Sequence, residues 1–200
     1  MKQITLYKSW LDLDKYQFKV LVMIAALAQE KRGFRGKLKD MCNFLNMTHR
    51  ENIKKAIYEL QDKGLINASL DGYTWTISLT EIAEDSDENS ITIDLDNFTA
   101  IQNYKAADPQ NYVAWENILK VFIFLIFTHE DILTYKFIAT QLNLSIDVVR
   151  RCIVALDTIQ FSGMIFFRKK VWKKSPVYNS KFPEFRVIGQ RITLGWHWGT

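Results

Sequence analysis

Apolar residues recur at helical spacing in two stretches of this chain, and the two stretches superpose. Leu21, Ile24, Ala25, Leu27 and Ala28 fall on an i, i+3, i+4 stripe, and 97 positions later Ile118, Val121, Phe122, Phe124 and Leu125 repeat it. Residues 18–48 align in this way with residues 115–145 without a gap, the signature of an internal repeat. Within it, LKDMCNFLNMT (38–48) matches YKFIATQLNLS (135–145), sharing Lys39/Lys136, Leu45/Leu142, Asn46/Asn143, Met47/Leu144 and Thr48/Ser145. That pattern predicts a second helix, a tight turn and a cap. A third helix follows at an offset of 96, with Ile53, Ala56, Ile57 and Leu60 against Val149, Cys152, Ile153 and Leu156. Thr48 and Glu51 have the Thr-x-x-Glu spacing of a capping box; Ser145 can cap too, but Val148 cannot complete a box there.

Each third helix runs on to a glycine, Gly64 or Gly163, and then to a strand beginning Leu65-Ile66 or Met164-Ile165. In the first copy Asn67 to Gly72 predicts a turn, after which Tyr73, Trp75, Ile77 and Leu79 alternate with Thr74, Thr76 and Ser78 as a half-buried return strand. In the second, MIFFRKKVW leads into a longer loop from Ser175-Pro176 to Pro183, and FRVIGQRITL returns. The expected architecture is mainly α with small β-hairpins (α+β), two copies of three helices and a hairpin over 1–80 and 111–200. Residues 81–110 form an acidic linker: 81–90 reads as flexible, while Ile91, Ile93 and Leu95 alternate and could add a short strand to either copy.

Charge sharpens this division. Residues 1–80 carry 13 basic and 8 acidic side chains, 81–96 carry seven acids and no base, and 150–200 carry ten bases against two acids. Two basic regions thus flank an acidic connector, the footprint expected of a protein that neutralises phosphates, though composition alone is equally consistent with a solvated surface of uneven charge. Cys42 and Cys152 lie in apolar-periodic segments with no Cys-x-x-Cys or Cys/His spacing, so they read as reduced core thiols, and neither a metal nor a cofactor is expected. The most apolar run, Val121 to Phe127, is far shorter than the ~20 residues of a membrane span and predicts a buried helix. The N-terminal MKQITLYKSW lacks a signal-peptide core, so the expected location is cytoplasmic, with no membrane partner.

Ile53-Lys54-Lys55-Ala56-Ile57-Tyr58-Glu59-Leu60 followed by Gly64-Leu65-Ile66 resembles the recognition helix and first wing strand of bacterial winged helix-turn-helix proteins, and Val149-Arg150-Arg151-Cys152-Ile153-Val154-Ala155-Leu156 is similar. The resemblance covers about 150 residues in two tandem domains, and in layout alone it extends to replication initiators of plasmids and phages. It implies double-stranded DNA as partner, with the third helix in the major groove and the wing on phosphates or in the minor groove.

On the first third helix Arg50, Lys54 and Lys55 lie off the core stripe, and His49 and Asn52 near its start could reach base edges. Lys55 also stands four residues from both Glu51 and Glu59, so an ion-pair ladder is the competing assignment. Arg150 and Arg151 occupy the positions of Lys54 and Lys55 in the second copy, where Ile146, Asp147 and Val148 make a poorly polar opening turn and Asp147 could instead pair with either arginine. The second hairpin adds Arg168, Lys169, Lys170, Lys173, Lys174 and Lys181, interleaved with Trp172 and Tyr178, as a wing suited to phosphates. The tail Trp196-His197-Trp198 suits packing onto a neighbouring unit or a second subunit better than ligand stacking.

Scattered histidines (His49, His129, His197), no Gly-rich phosphate loop and no nucleophile in a recognised setting leave no catalytic residues to nominate, and the chain is expected not to be an enzyme. The function expected is sequence-specific binding of double-stranded DNA as a transcription regulator or replication initiator of a mobile element. Homodimerisation and contacts with replication or transcription proteins stay open. So does the alternative of a winged-helix docking or dimerisation module that does not touch DNA.

Overall fold

A computed structural model describes residues 2–27, 33–83, 87–128, 133–162 and, as strands, 164–174 and 185–196. It is a mixed α+β chain that divides into two units, Met1–Phe98 and Thr99–Thr200.

In unit 1, Ile4 and Leu6 alternate with polar neighbours and are fully buried from strand β1 (Gln3–Tyr7). A 3-10 helix, Lys8–Asp12, leads to α1 (Lys15–Leu27), whose first turn is held by Asp14 Oδ1 accepting from the Tyr16 and Gln17 amides at 2.7 and 3.2 Å. The expected single stripe is too narrow for this helix: every residue from Gln17 to Ile24 is buried, because α1 packs against α3 (Arg50–Asp62), β1 and β4 (Thr74–Leu79) together. Leu27, counted in the stripe from sequence, is 41% exposed at the helix end, and Ala28 lies outside the described residues.

The unit continues through β2 (Phe34–Lys37), α2 (Leu38–Phe44), α3, β3 (Ile66–Asp71) and β4. The three strands form an antiparallel sheet in the order β2-β4-β3, with Phe34 opposite Ile77 and Leu70 opposite Trp75. From α3 the expected Ile53, Ala56, Ile57 and Leu60 enter the core, at 0 or 1% exposure. Burying each large one stabilises the fold by roughly 1.5–3 kcal/mol relative to leaving it in water. The expected turn from Asn67 to Gly72 is instead strand: β3 runs to Asp71, and the reversal takes two residues, Gly72 and Tyr73. Gly72 supplies the positive φ (57°) that a two-residue hairpin requires at its first position. Tyr73 is therefore the tip of the hairpin, 87% exposed, while Trp75 and Ile77 are the inward residues of β4.

The acidic connector also departs from a plain linker. β5 (Ser90–Asp94) pairs antiparallel with β1, Ile91 opposite Leu6 and Ile93 opposite Ile4, so this strand belongs to unit 1. Leu95, counted in the strand alternation from sequence, opens α4 (Leu95–Gln102), and the boundary between the units falls inside that helix.

Unit 2 holds α5 (Trp115–Phe127), α6 (Tyr135–Leu142), α7 (Ile146–Thr158), β6 (Met164–Lys174) and β7 (Phe185–Trp196). The run Val121 to Phe127 is the second half of α5, with Val121, Phe122, Ile123 and Leu125 buried. Among the described residues no helix is long and apolar enough to cross a membrane. Val149, Cys152, Ile153 and Leu156 of α7 are all at 0% exposure, as the periodicity requires. β6 and β7 form an antiparallel ribbon, Met164 opposite Trp196 and Lys174 opposite Phe185, with a bulge where Ile188 is left over between two pairs.

The repeat is closest at the turn between second and third helices. Asn46 and Asn143 both take the left-handed conformation (φ 51° and 50°), which Asn tolerates better than other residues bearing a Cβ. The next amide in each unit reaches back to the helix, Met47 to the Cys42 carbonyl and Leu144 to the Ala139 carbonyl, both at 2.9 Å. Past the turn the copies diverge by one residue. In unit 2 Ser145 directly precedes α7, and its Oγ accepts from the Val148 amide at 3.2 Å. In unit 1 the residue directly preceding α3 is His49, which makes no side-chain cap, so the capping box expected from Thr48 and Glu51 does not form. Thr48 stands one residue too early to reach the amides of the first turn.

Candidate nucleic-acid interface

The N-terminal turns of α3, the start of α2 and the β3–β4 hairpin enclose an open cleft of about 460 Å³. Its lining brings together Lys37, Lys39, Arg50 and Lys54, with Glu51 as the one carboxylate and Leu70, Gly72, Tyr73 and Trp75 from the hairpin. None of the four cations makes an ion pair with a described residue. Leu70 is 49% exposed, and Tyr73 more so. Tyr58 stands edge-on to Trp75, ring centroids 5.9 Å apart, and stiffens the cleft from the α3 side. The helix end that opens into this cleft is the uncapped one, so its first amides keep donors for an oxygen ligand.

The residues expected to touch DNA from α3 fall into two groups. Arg50 and Lys54 line this cleft, whereas Asn52 and Lys55 line a separate depression of about 280 Å³ beside Asp14 and Tyr16. There Asn52 donates to the Tyr16 hydroxyl at 3.1 Å, and Lys55 pairs with Glu59 at 3.5 Å, the i,i+4 ion pair that competed with DNA contact. Glu59 is also held by Gln17, whose amide donates to it at 2.9 Å while Lys63 donates to the Gln17 carbonyl oxygen at 2.8 Å. The Gln17 hydrogen bond, with Lys55 and Lys63 nearby, draws the Glu59 carboxyl below its ordinary range. His49 is exposed just ahead of the helix. Lys37 and Lys39, absent from the expected set, belong to the cleft; their signal was the dense cationic run of residues 31–39.

In unit 2 both arginines of α7 are engaged. Arg150 Nη2 lies 2.8 Å from Asp147 Oδ1 and Arg151 Nη2 lies 2.9 Å from Asp147 Oδ2, the pairing that sequence spacing had allowed. Arg151 Nη1 also donates to the Tyr112 carbonyl at 2.7 Å, fixing α7 to the segment before α5. The Arg150 hydrogen bond, with both guanidinium charges beside it, holds the Asp147 carboxyl below its ordinary range. Arg168, Lys169, Lys170, Lys173 and Lys174 all fall on β6, and Lys181 lies outside the described residues, as do His197 and Trp198 of the tail.

Cys42 and Cys152 are free and buried; burial pushes the Cys42 thiol up and that of Cys152 to about 12, which keeps both protonated. Among the described residues no group of three His, Cys, Asp or Glu is placed to hold a metal ion. No protein-family model matches the chain, and no curated protein matches it.

Proposed function

We propose that the chain is a tandem winged helix-turn-helix protein that binds double-stranded DNA in a sequence-specific manner, as a cytoplasmic regulator of transcription or initiator of replication, and that it acts by binding rather than by catalysis. The observation that carries this reading is the unit 1 cleft: four cations that pair with no acid among the described residues surround the open end of α3. The element order of unit 1 supports it, since α1-β2-α2-α3-β3-β4 with sheet order β2-β4-β3 is compatible with a winged helix. In that arrangement α3 enters the major groove, Arg50 reads a base edge, Lys37, Lys39 and Lys54 take phosphates, and the hairpin tip follows the backbone. The wing itself carries Asp71 and no cation, so Tyr73 and Leu70 would meet DNA by apolar contact.

A mobility-shift assay against a random-sequence duplex library, repeated at two salt concentrations, tests this. Selected sequences bind more weakly as salt rises. Arg50→Ala relaxes the selected consensus at a cost of ~1–3 kcal/mol, and Lys54→Ala lowers the salt slope by about 1 without changing preference. No enrichment of any sequence, or an affinity indifferent to salt and to both changes, would instead favour a docking module. The neutralised α7 with Ile146 51% exposed at its opening is the feature on which that second reading draws.

A further inference from the structure

Unit 2 has a third helix in the same structural place as α3 but with different chemistry. Its N-terminus is already capped by Ser145, its opening residue is the exposed Ile146, and Asp147 holds Arg150 and Arg151 at once. For Arg150 to meet a phosphate it would have to give up its contacts with Asp147 Oδ1, at 2.8 Å from Nη2 and 3.3 Å from Nε. Arg151 is further tied to the Tyr112 carbonyl and is only 24% exposed.

The ribbon has the opposite character. Neither strand contains an acid, and the cations all lie after Phe167 on β6 and before Ile192 on β7, the half away from the α7 connection: Arg168, Lys169, Lys170, Lys173 and Lys174 on β6, Arg186 and Arg191 on β7. The other half, Met164 to Phe167 opposite Thr193 to Trp196, is without charge, and β6 begins only a short connection after α7. The register sets Lys169 opposite Arg191 and Lys173 opposite Arg186, two cationic pairs that flank the pair Val171 and Gly189 and the bulge beside it. Like charges directly opposite each other destabilise a sheet. Two such pairs about 13 Å apart along one ribbon are a costly arrangement unless an extended polyanion lies against them.

We infer that unit 2 meets duplex DNA through the cationic half of the β6–β7 ribbon, and that α7 stays off the nucleic acid. The inference rests on the DNA-binding reading and says which element of the second unit carries it. The major groove, ~12 Å wide, admits a two-stranded ribbon as readily as a helix. The tandem units therefore use different elements: a helix end in unit 1, a strand pair in unit 2.

The test is fluorescence anisotropy of the full chain with a duplex of about 30 base pairs, over salt from about 50 to 200 mM, for four variants beside the wild type. Lys169→Ala/Lys173→Ala lowers the salt slope by about 2, and its thermal midpoint does not fall, because two like-charge oppositions are gone. Lys169→Arg/Lys173→Arg keeps the wild-type slope. Arg150→Ala and Asp147→Asn leave slope and affinity unchanged. A slope lowered by Arg150→Ala, or one kept by the double alanine variant, overturns the assignment to the ribbon while leaving DNA binding by unit 1 intact. A wild-type protein with no salt-dependent duplex binding overturns the DNA-binding reading itself, and this inference with it.

Discussion

His49→Ser should stabilise α3, and the reasoning comes from comparing the two copies. The residue before each third helix has extended backbone, φ −94° at His49 and φ −74° at Ser145, but only Ser145 accepts a hydrogen bond from its helix, at the Val148 amide three residues on. A serine at 49 would stand in the same relation to the Asn52 amide. A cap of this kind contributes about 1 kcal/mol, or roughly a fivefold change in the opening equilibrium. Amide hydrogen exchange of the full chain, resolved by peptide, should therefore slow about fivefold over the first turns of α3 in His49→Ser and quicken by a similar factor over α7 in Ser145→Ala. Thr48→Ala should change exchange little, since Thr48 makes no cap. Exchange in α3 that quickened with Thr48→Ala, or stayed the same in His49→Ser, would refute the reasoning and restore the capping box read from sequence. DNA affinity should move against stability, because a serine that satisfies the open amides competes with any DNA oxygen that reaches that helix end.

Three further outcomes follow from the same geometry. Gly33→Ala should cost ~1–3 kcal/mol, seen as a lowered urea midpoint, because a Cβ at 33 would lie 2.5 Å from the backbone oxygen of Ile77, which strand pairing holds in place. Acid should loosen the start of α7. A carboxyl with a depressed folded pKa stabilises above its unfolded value, near ~4, and that stability is lost as pH falls through the lower folded value; exchange or amide chemical shifts in α7 report it, and Asp147→Asn abolishes the dependence. Neither thiol should react with a disulfide reagent at pH ~8 in the native protein, since both are buried with raised pKa values, and urea should expose both.

What the sequence revealed and what it hid have separate physical causes. Burial imposes a period on a helix, so the core residues of α3 and α7 could be named from spacing alone, and the turn before each showed itself through an asparagine at the one position that needs left-handed backbone. The cap of α3 was misread because the offset between copies changes from 97 to 96 within the turn, and a cap tolerates no such slip. β2 was not foreseen because FRGK is short and half cationic; only pairing with β4 makes it a strand, and that pairing places Lys37 beside the cleft. Exposed residues obey no comparable period. Glu59 claims Lys55 and Asp147 claims Arg150 and Arg151 at ordinary helical spacing, so positions equivalent in the repeat differ in their pairing: Lys54 makes no ion pair with a described residue, whereas Arg150, its counterpart, is held by Asp147. A duplicated core therefore carries no guarantee of a duplicated surface. The small set of carboxylates within one helical turn of each cation decides which copy can present charge to a polyanion, and in unit 2 that leaves the acid-free ribbon.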